Sequence, residues 1–257
     1  MSYGSYGGRY VSSFDRHANF PQGVKWLLIV NIALFVLYFF AAHSGYQSLF
    51  WPFGLTPRWV VEGLAIWQLV TYMFLHDPYG FTHILFNMLA LWMFGKDLEM
   101  TWGTKRFLQF YFVCGIGAGL CAVALNAVFG NMDSRTIGAS GAIYGLLLAF
   151  GMLFPNTTVL FSFLFPIKAK YFVMIIGAIA FLSTFGSPAT GGGVSHIAHL
   201  GGMIWGYVYL KSGYLKLDLF GMAQRRYQQW KIDRAKRKFQ VYLRKRDSGS
   251  DRNRWVH

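Results

Sequence analysis

Three short stretches place hydroxyl, imidazole and amide side chains inside otherwise apolar runs: "THILFN" at 82–87, "GASGAIYG" at 138–145 and "SHIAHLGGMIWG" at 195–206. A serine beside a histidine is the minimum for nucleophilic acyl transfer. An imidazole with an unperturbed pKa of about 6.5 can take the hydroxyl proton and return it to a leaving amine. Ser140 and His199 are the candidate pair. A carboxylate usually orients such a ring, but Asp77 and Asp133 fall in loops, and Asp97 and Glu99 fall at the far end of their helix. The spacing therefore predicts a dyad, with Tyr144, one turn after Ser140, walling the imidazole. A tetrahedral oxyanion needs donors, and the Ser140 N–H, the Asn87 amide and the His83 ring are candidates. His83 and Asn87, four apart, share one helix face.

Each residue also has a plainer reading. Ser140 alone would be a small polar residue at a helix contact, and His199 alone a packed, hydrogen-bonded histidine. His196 reads as a loop anchor, and His76 as a loop residue with water retention as the lesser alternative. The histidines could in principle gather a metal, but no HExxH helix accompanies them, and no carboxylate or thiolate lies at their depth. No metal or cofactor is expected. Cys114 and Cys121 sit two helical turns apart, too far for a disulfide, and read as small buried hydrophobes.

The elements that must carry these groups are membrane helices. The chain has 257 residues, of which 54% are hydrophobic, 19% aromatic and 13% charged, a balance foreign to a water-soluble domain. Six stretches approach the roughly 20 apolar residues that a bilayer core requires: 24–43, 82–99, 107–129, 138–154, 170–186 and 196–212. Several are short or carry polar residues, as helices lining an internal cavity do. Gly141 and Gly145 on the fourth, and Gly202 and Gly206 on the sixth, give two small-residue faces that let backbones approach closely. The first 23 residues are polar and Gly/Tyr/Ser-rich, without the pattern of a signal peptide. With both termini cytoplasmic, 22 of the 24 Lys and Arg lie on the cytoplasmic side, leaving Arg58 and Arg135 outside. Helices two, four and six then each begin at the outer face, and their polar residues meet at one depth.

The residues "HILFN" at 83–87, "GASGAIY" at 138–144 and "AHLGGMIWG" at 198–206, in that order, resemble the rhomboid family of intramembrane serine proteases over about residues 24–212. "FGKDLEMTWGTKRFLQFYF" at 94–112 is similar to the family's junction between helices two and three. The resemblance implies an all-α, six-transmembrane-helix bundle with a water-filled cavity open to the outside, cleaving a substrate's transmembrane helix near the outer interface. By position, Ser140 is similar to the nucleophile, His199 to the base, His83 and Asn87 to the oxyanion residues and Tyr144 to the tyrosine stacked on the base. The loop at 44–81, with "WPFGL" and "WVVEGLAIW", resembles the family's part-submerged loop. Some relatives carry Trp-Arg late in this loop, where this chain has Trp67-Gln68. The fifth helix and the Gly-rich "GSPATGGGVS" after it correspond to the family's region of substrate entry, or serve as a connector.

The expected organisation is a cytoplasmic segment 1–23, a protease core 24–212 and a basic cytoplasmic tail 213–257. From Lys211 onward there are 14 Lys and Arg against four Asp, suited to anionic lipid at the inner leaflet; a nucleic-acid readout motif is absent. The expected function is a serine endopeptidase acting on transmembrane protein substrates. The alternative is a non-proteolytic relative that binds client helices. The small core suggests a bacterial plasma membrane, with the active site facing outward. Substrate identity and oligomeric state stay open at this level.

Overall fold

The computed structural model describes residues 20–129, 132–161, 165–186, 196–212 and, in the tail, 231, 232 and 234. The basic tail is otherwise outside the described residues, as are most of the N-terminal segment and all of 187–195, which hold the Gly-rich stretch. The chain divides into two compact units, Met1–Lys211 and Ser212–His257; every candidate site residue lies in the first.

Among the described residues six helices run fourteen residues or longer: α1 (Gln22–His43), α4 (Phe81–Trp102), α5 (Thr104–Phe129), α6 (Ser140–Leu153), α7 (Ala169–Gly186) and α8 (His196–Lys211). They coincide with the six apolar stretches to within a few residues. By length and composition α1 and α5 are able to cross a membrane. Between α1 and α4 the chain forms a 3-10 turn (Gln47–Phe53), the short helices α2 (Pro57–Val61) and α3 (Gln68–Thr71), and a second 3-10 turn (Tyr72–Phe74). A hairpin of β1 (Thr158–Phe161) and β2 (Phe165–Lys168) precedes α7, with Thr158 paired to Lys168 and Phe161 to Phe165. The helical pattern of the sequence gives no hint of these two strands: four residues each are too few for a period-2 signal.

α6 is the hub. It contacts α4, α5, α7 and α8, and nine of its fourteen residues are buried, Gly141, Gly145, Ala149 and Phe150 among them. α1 and α7 behave oppositely, exposing Trp26, Ile29, Val36 and Phe40, and Met174, Ile179 and Leu182. Large apolar side chains on the outside of α1 and α7 suit lipid surroundings.

Two polar anchors fix the ends of this bundle. Gly103, at φ 78°, turns the chain between α4 and α5 within one residue, a conformation that favours glycine. Just before it, the Glu99 carboxylate accepts the backbone N–H of Gly23 at 2.8 Å and of Val24 at 2.7 Å. It also accepts the Thr104 hydroxyl at 2.6 Å. The first-turn N–H groups of α1, which have no partner within their own helix, are thereby satisfied by a carboxylate suited to a helix N-terminus. At the other end Gln68, fully buried, ties down the long loop. Its carbonyl accepts the Thr56 N–H at 3.0 Å, and its amide donates to the Pro52 carbonyl at 3.0 Å, as does Trp67 Nε1.

The same loop is laced to the segment leading into α6. Leu55 and Thr136 exchange backbone hydrogen bonds, the Arg58 N–H reaches Met132 O at 2.9 Å, and the Gly138 N–H reaches Tyr72 O at 2.9 Å. On its surface Arg58 Nε donates to Asp133 at 2.8 Å, and the guanidinium holds the Asp133 carboxyl below the usual carboxylate range. That link is kept above the ordinary aspartate range and lost as pH falls through the lowered pKa; both groups are exposed, so its effect on stability is small.

Glu99→Ala strands two buried N–H groups and is expected to cost about 3 kcal/mol, read as a fall in thermal unfolding midpoint in micelles. Asp133→Asn should leave that midpoint within experimental scatter.

Candidate active site

The geometry of the site begins with glycines. A Cβ on Gly202 would overlap the Gly141 carbonyl oxygen, and one on Gly145 would stand 3.1 Å from Gly202 O. One on Gly206 would stand 3.3 Å from Gly145 Cα. The backbones of α6 and α8 therefore touch over two successive turns, as small-residue faces allow. At the start of this seam stand Ser140, first residue of α6, and His199, in the first turn of α8.

His199 Nε2 lies 2.8 Å from Ser140 Oγ, within hydrogen-bond reach. The Tyr144 ring stacks on the His199 ring at 4.1 Å between centroids and only 5° from parallel, and His199 is 5% exposed. Its Nδ1 has no hydrogen-bond partner among the described residues. The imidazole is accordingly held by a ring face and by helix packing rather than by a carboxylate. His196, one turn earlier, meets the His199 ring edge-on at 5.9 Å.

His83 approaches from α4. A point one bond beyond the Gly138 Cα, where a Cβ would stand, lies 2.9 Å from His83 Nε2 and 3.8 Å from Ser140 Oγ. Gly138 has φ 121°, a backbone that L side chains rarely adopt, so both conformation and space demand glycine. An oxygen developing negative charge near that point would meet the His83 ring and the start of α6. Asn87 turns back on its own helix: Nδ2 donates to the His83 carbonyl at 2.7 Å, which ties the two residues together and leaves the amide a second N–H. Ser140, His199, Tyr144, His83 and Gly138 are thus adjacent, and Asn87 joins them through His83.

Gly138 carries more of the site than spacing suggests, and His76 stands beside His83. The left-handed backbone of Gly138 follows from its bond to Tyr72, 66 residues away in sequence, so no local pattern marks it. His76 is fully buried and its ring stands 5.2 Å from that of His83; in sequence it is one of several loop histidines.

Comparison with known proteins identifies the family. A family model described as Rhomboid domain matches residues 64–214. The chain is 33% identical over 225 residues to "Rhomboid protein 1, mitochondrial" of Saccharomyces cerevisiae, covering 85% of this chain and 61% of that protein. It is 30% identical to "Putative rhomboid protease YdcA" of Bacillus subtilis, over 76% of this chain and 93% of the relative. "Rhomboid protease GluP" of the same bacterium is 32% identical, with 35% of its length covered. The chain thus spans less than two thirds of the yeast protein and of GluP.

Gly138→Ala is expected to abolish labelling of Ser140 by a fluorophosphonate probe, because the new methyl group enters the space facing His83 Nε2. Tyr144→Phe keeps the stacked ring, and labelling should stay within about threefold of wild type, a loss of under 1 kcal/mol in the barrier.

Proposed function

The chain belongs to the rhomboid family, whose named proteases among its relatives support an intramembrane protease, and from that premise we propose that it is a serine endopeptidase using Ser140 and His199. The observation that carries the reading is the 2.8 Å approach of His199 Nε2 to Ser140 Oγ between two separate helices.

In this mechanism Ser140 Oγ attacks the scissile carbonyl while His199 Nε2 accepts the hydroxyl proton. The tetrahedral oxyanion sits beside Gly138, receiving hydrogen bonds from the Ser140 N–H, the His83 ring and the Asn87 amide. Collapse breaks the C–N bond, and His199 returns the proton to the departing amine. A water then attacks the acyl-Ser140 ester with His199 again as base, releasing the acid and restoring the hydroxyl. The flat stack of Tyr144 on His199 replaces, as an orienting device, the carboxylate of a triad.

The substrate in this reading is a transmembrane segment of another protein. An intact helix hides its carbonyls, so small or helix-weakening residues near the outer membrane boundary favour attack. The six helices span the bilayer, both termini are cytoplasmic, and the site opens outward, supported by the basic residues gathered on one side. The boundaries 1–23, 24–212 and 213–257 follow from the same topology, and the basic tail lies against anionic lipid. The membrane is a bacterial plasma membrane or, as for the mitochondrial yeast relative, an organellar one.

Purified protein in liposomes with a generic transmembrane substrate tests this. Ser140→Ala and His199→Ala should abolish cleavage, Asn87→Ala should slow it by about 10²- to 10³-fold, and a metal chelator should leave it unchanged. Cleavage that survives Ser140→Ala removes the mechanism.

A further inference from the structure

Arg58 and Arg135 are the two basic residues that the charge count leaves on the outer side, and the structure treats them differently. Arg58 is neutralised, with Asp133 at 2.8 Å and Glu62 at 3.2 Å. Arg135 has no carboxylate within ion-pair distance among the described residues, and its Nε is buried without a hydrogen-bond partner. The titratable side chain that acts on its charge is Tyr38, a phenol rather than a carboxylate.

The Arg135 side chain is nevertheless held in place. Its stem passes over Gly54, where a Cβ would stand 2.9 Å from Cδ and 3.1 Å from Cγ, so glycine leaves the room that the stem occupies. Its guanidinium carbon then lies 4.9 Å from the centre of the Trp51 ring, a cation–aromatic contact. The two chain segments that meet here are tied together. Thr136, next to Arg135, exchanges backbone hydrogen bonds with Leu55, and the Pro52 carbonyl beside Trp51 accepts Trp67 Nε1 and the Gln68 amide. Fixing a long cationic side chain costs conformational entropy. A fixed guanidinium with no anion in the protein is half of an anion-binding site, since its planar fork matches carboxylate and phosphate oxygens.

The surroundings say which anion. Leu49, Trp51 and Phe53 of the first 3-10 turn are exposed, and so is Trp67 beside them in the loop. Exposed tryptophans around a cation are the composition of a membrane–water interface, and the anion present at that level in a bilayer is the phosphodiester of a phospholipid. The geometry points to a phospholipid site made by Arg135 and Trp51, in which the guanidinium takes the phosphodiester of an outer-leaflet lipid and the indole ring lies at the level of its glycerol. Arg135 stands on the segment that leads to Ser140, and Trp51 stands on the outer loop, so one bound lipid clamps the two together. Placement in the outer leaflet rests on the topology proposed above; the binding itself is independent of proteolysis.

The test uses the full chain in dodecyl maltoside micelles titrated with phosphatidylcholine, whose lack of net charge gives the basic tail no advantage. Native mass spectrometry reads the lipid retained. Arg135→Gln should bind the most tightly held lipid about tenfold more weakly than wild type. Arg135→Lys should fall between the two, and Arg58→Gln should match wild type. Diacylglycerol of the same chains should not be retained, and inorganic phosphate should not displace the phospholipid. In wild type, a phosphatidylcholine with a diazirine beside its glycerol should crosslink to the peptide holding Trp51, a readout that needs no variant to fold. Equal retention in Arg135→Gln and wild type overturns the proposal, as does a crosslink that avoids that peptide. Retention of diacylglycerol or displacement by inorganic phosphate overturns it too, assigning the site to acyl chains or to a soluble anion. Unchanged lipid retention, with a raised KM in Arg135→Gln for a client bearing an acidic residue beyond its membrane boundary, gives the cation to the client instead. Failure of the proteolytic reading, with cleavage absent in wild type or persisting in Ser140→Ala, leaves the lipid counts as they are.

Discussion

The contact on which the rest depends is backbone against backbone, between α6 at Gly141 and α8 at Gly202. No side chain fits there: even a methyl group on Gly202 would overlap the Gly141 carbonyl. Hydrophobic burial gives helices in lipid little reason to associate, so packing and polar contacts must hold them. This seam supplies the packing. It also sets the distance between the first turns of two helices that are 59 residues apart in sequence at Ser140 and His199. A seam wider by one methyl group would move both partners of a 2.8 Å contact apart. Close packing and chemical competence are here one requirement.

Around the seam, the side chains that fix the loop and the helix ends bond to backbone more often than to other side chains. Glu99 closes the start of α1. Gln68 holds two strands of the outer loop, and Tyr72 both gives its hydroxyl to Gly115 O and accepts the Gly138 N–H at its carbonyl. Where water is scarce an unpaired backbone group is costly, so these bonds specify the loop's path. The segment 132–138, which delivers Ser140, is therefore held by the outer loop rather than by its own helix.

Much of this is legible in the chain. The six helices appear as apolar runs, α1 and α7 because they face outward with large side chains, and the glycine spacing on α6 and α8 marks the faces that meet. His83, Ser140, Tyr144 and His199 stand out because polar residues in apolar helices are rare. The loop is not legible in the same way. Gln68 and Gly138 act through partners 12 to 66 residues distant, and the burial of His76 beside His83 has no signal in the sequence. The hairpin Thr158–Phe161 with Phe165–Lys168 escapes notice because its apolar residues read as loop between two helices. Periodicity reports faces of regular elements; it is silent on bonds between a side chain and a remote carbonyl.

The shortness of α6 has its own outcome. Fourteen residues rise only about 21 Å, against a hydrocarbon thickness of about 30 Å. With the inner end of α6 level with the inner lipid boundary, a client's peptide bond has to be offered about 9 Å beneath the outer one, roughly three residues of extended chain. The enzyme would then gauge its target by immersion depth, and moving a scissile sequence outward along its host helix would spare it even with every residue unchanged.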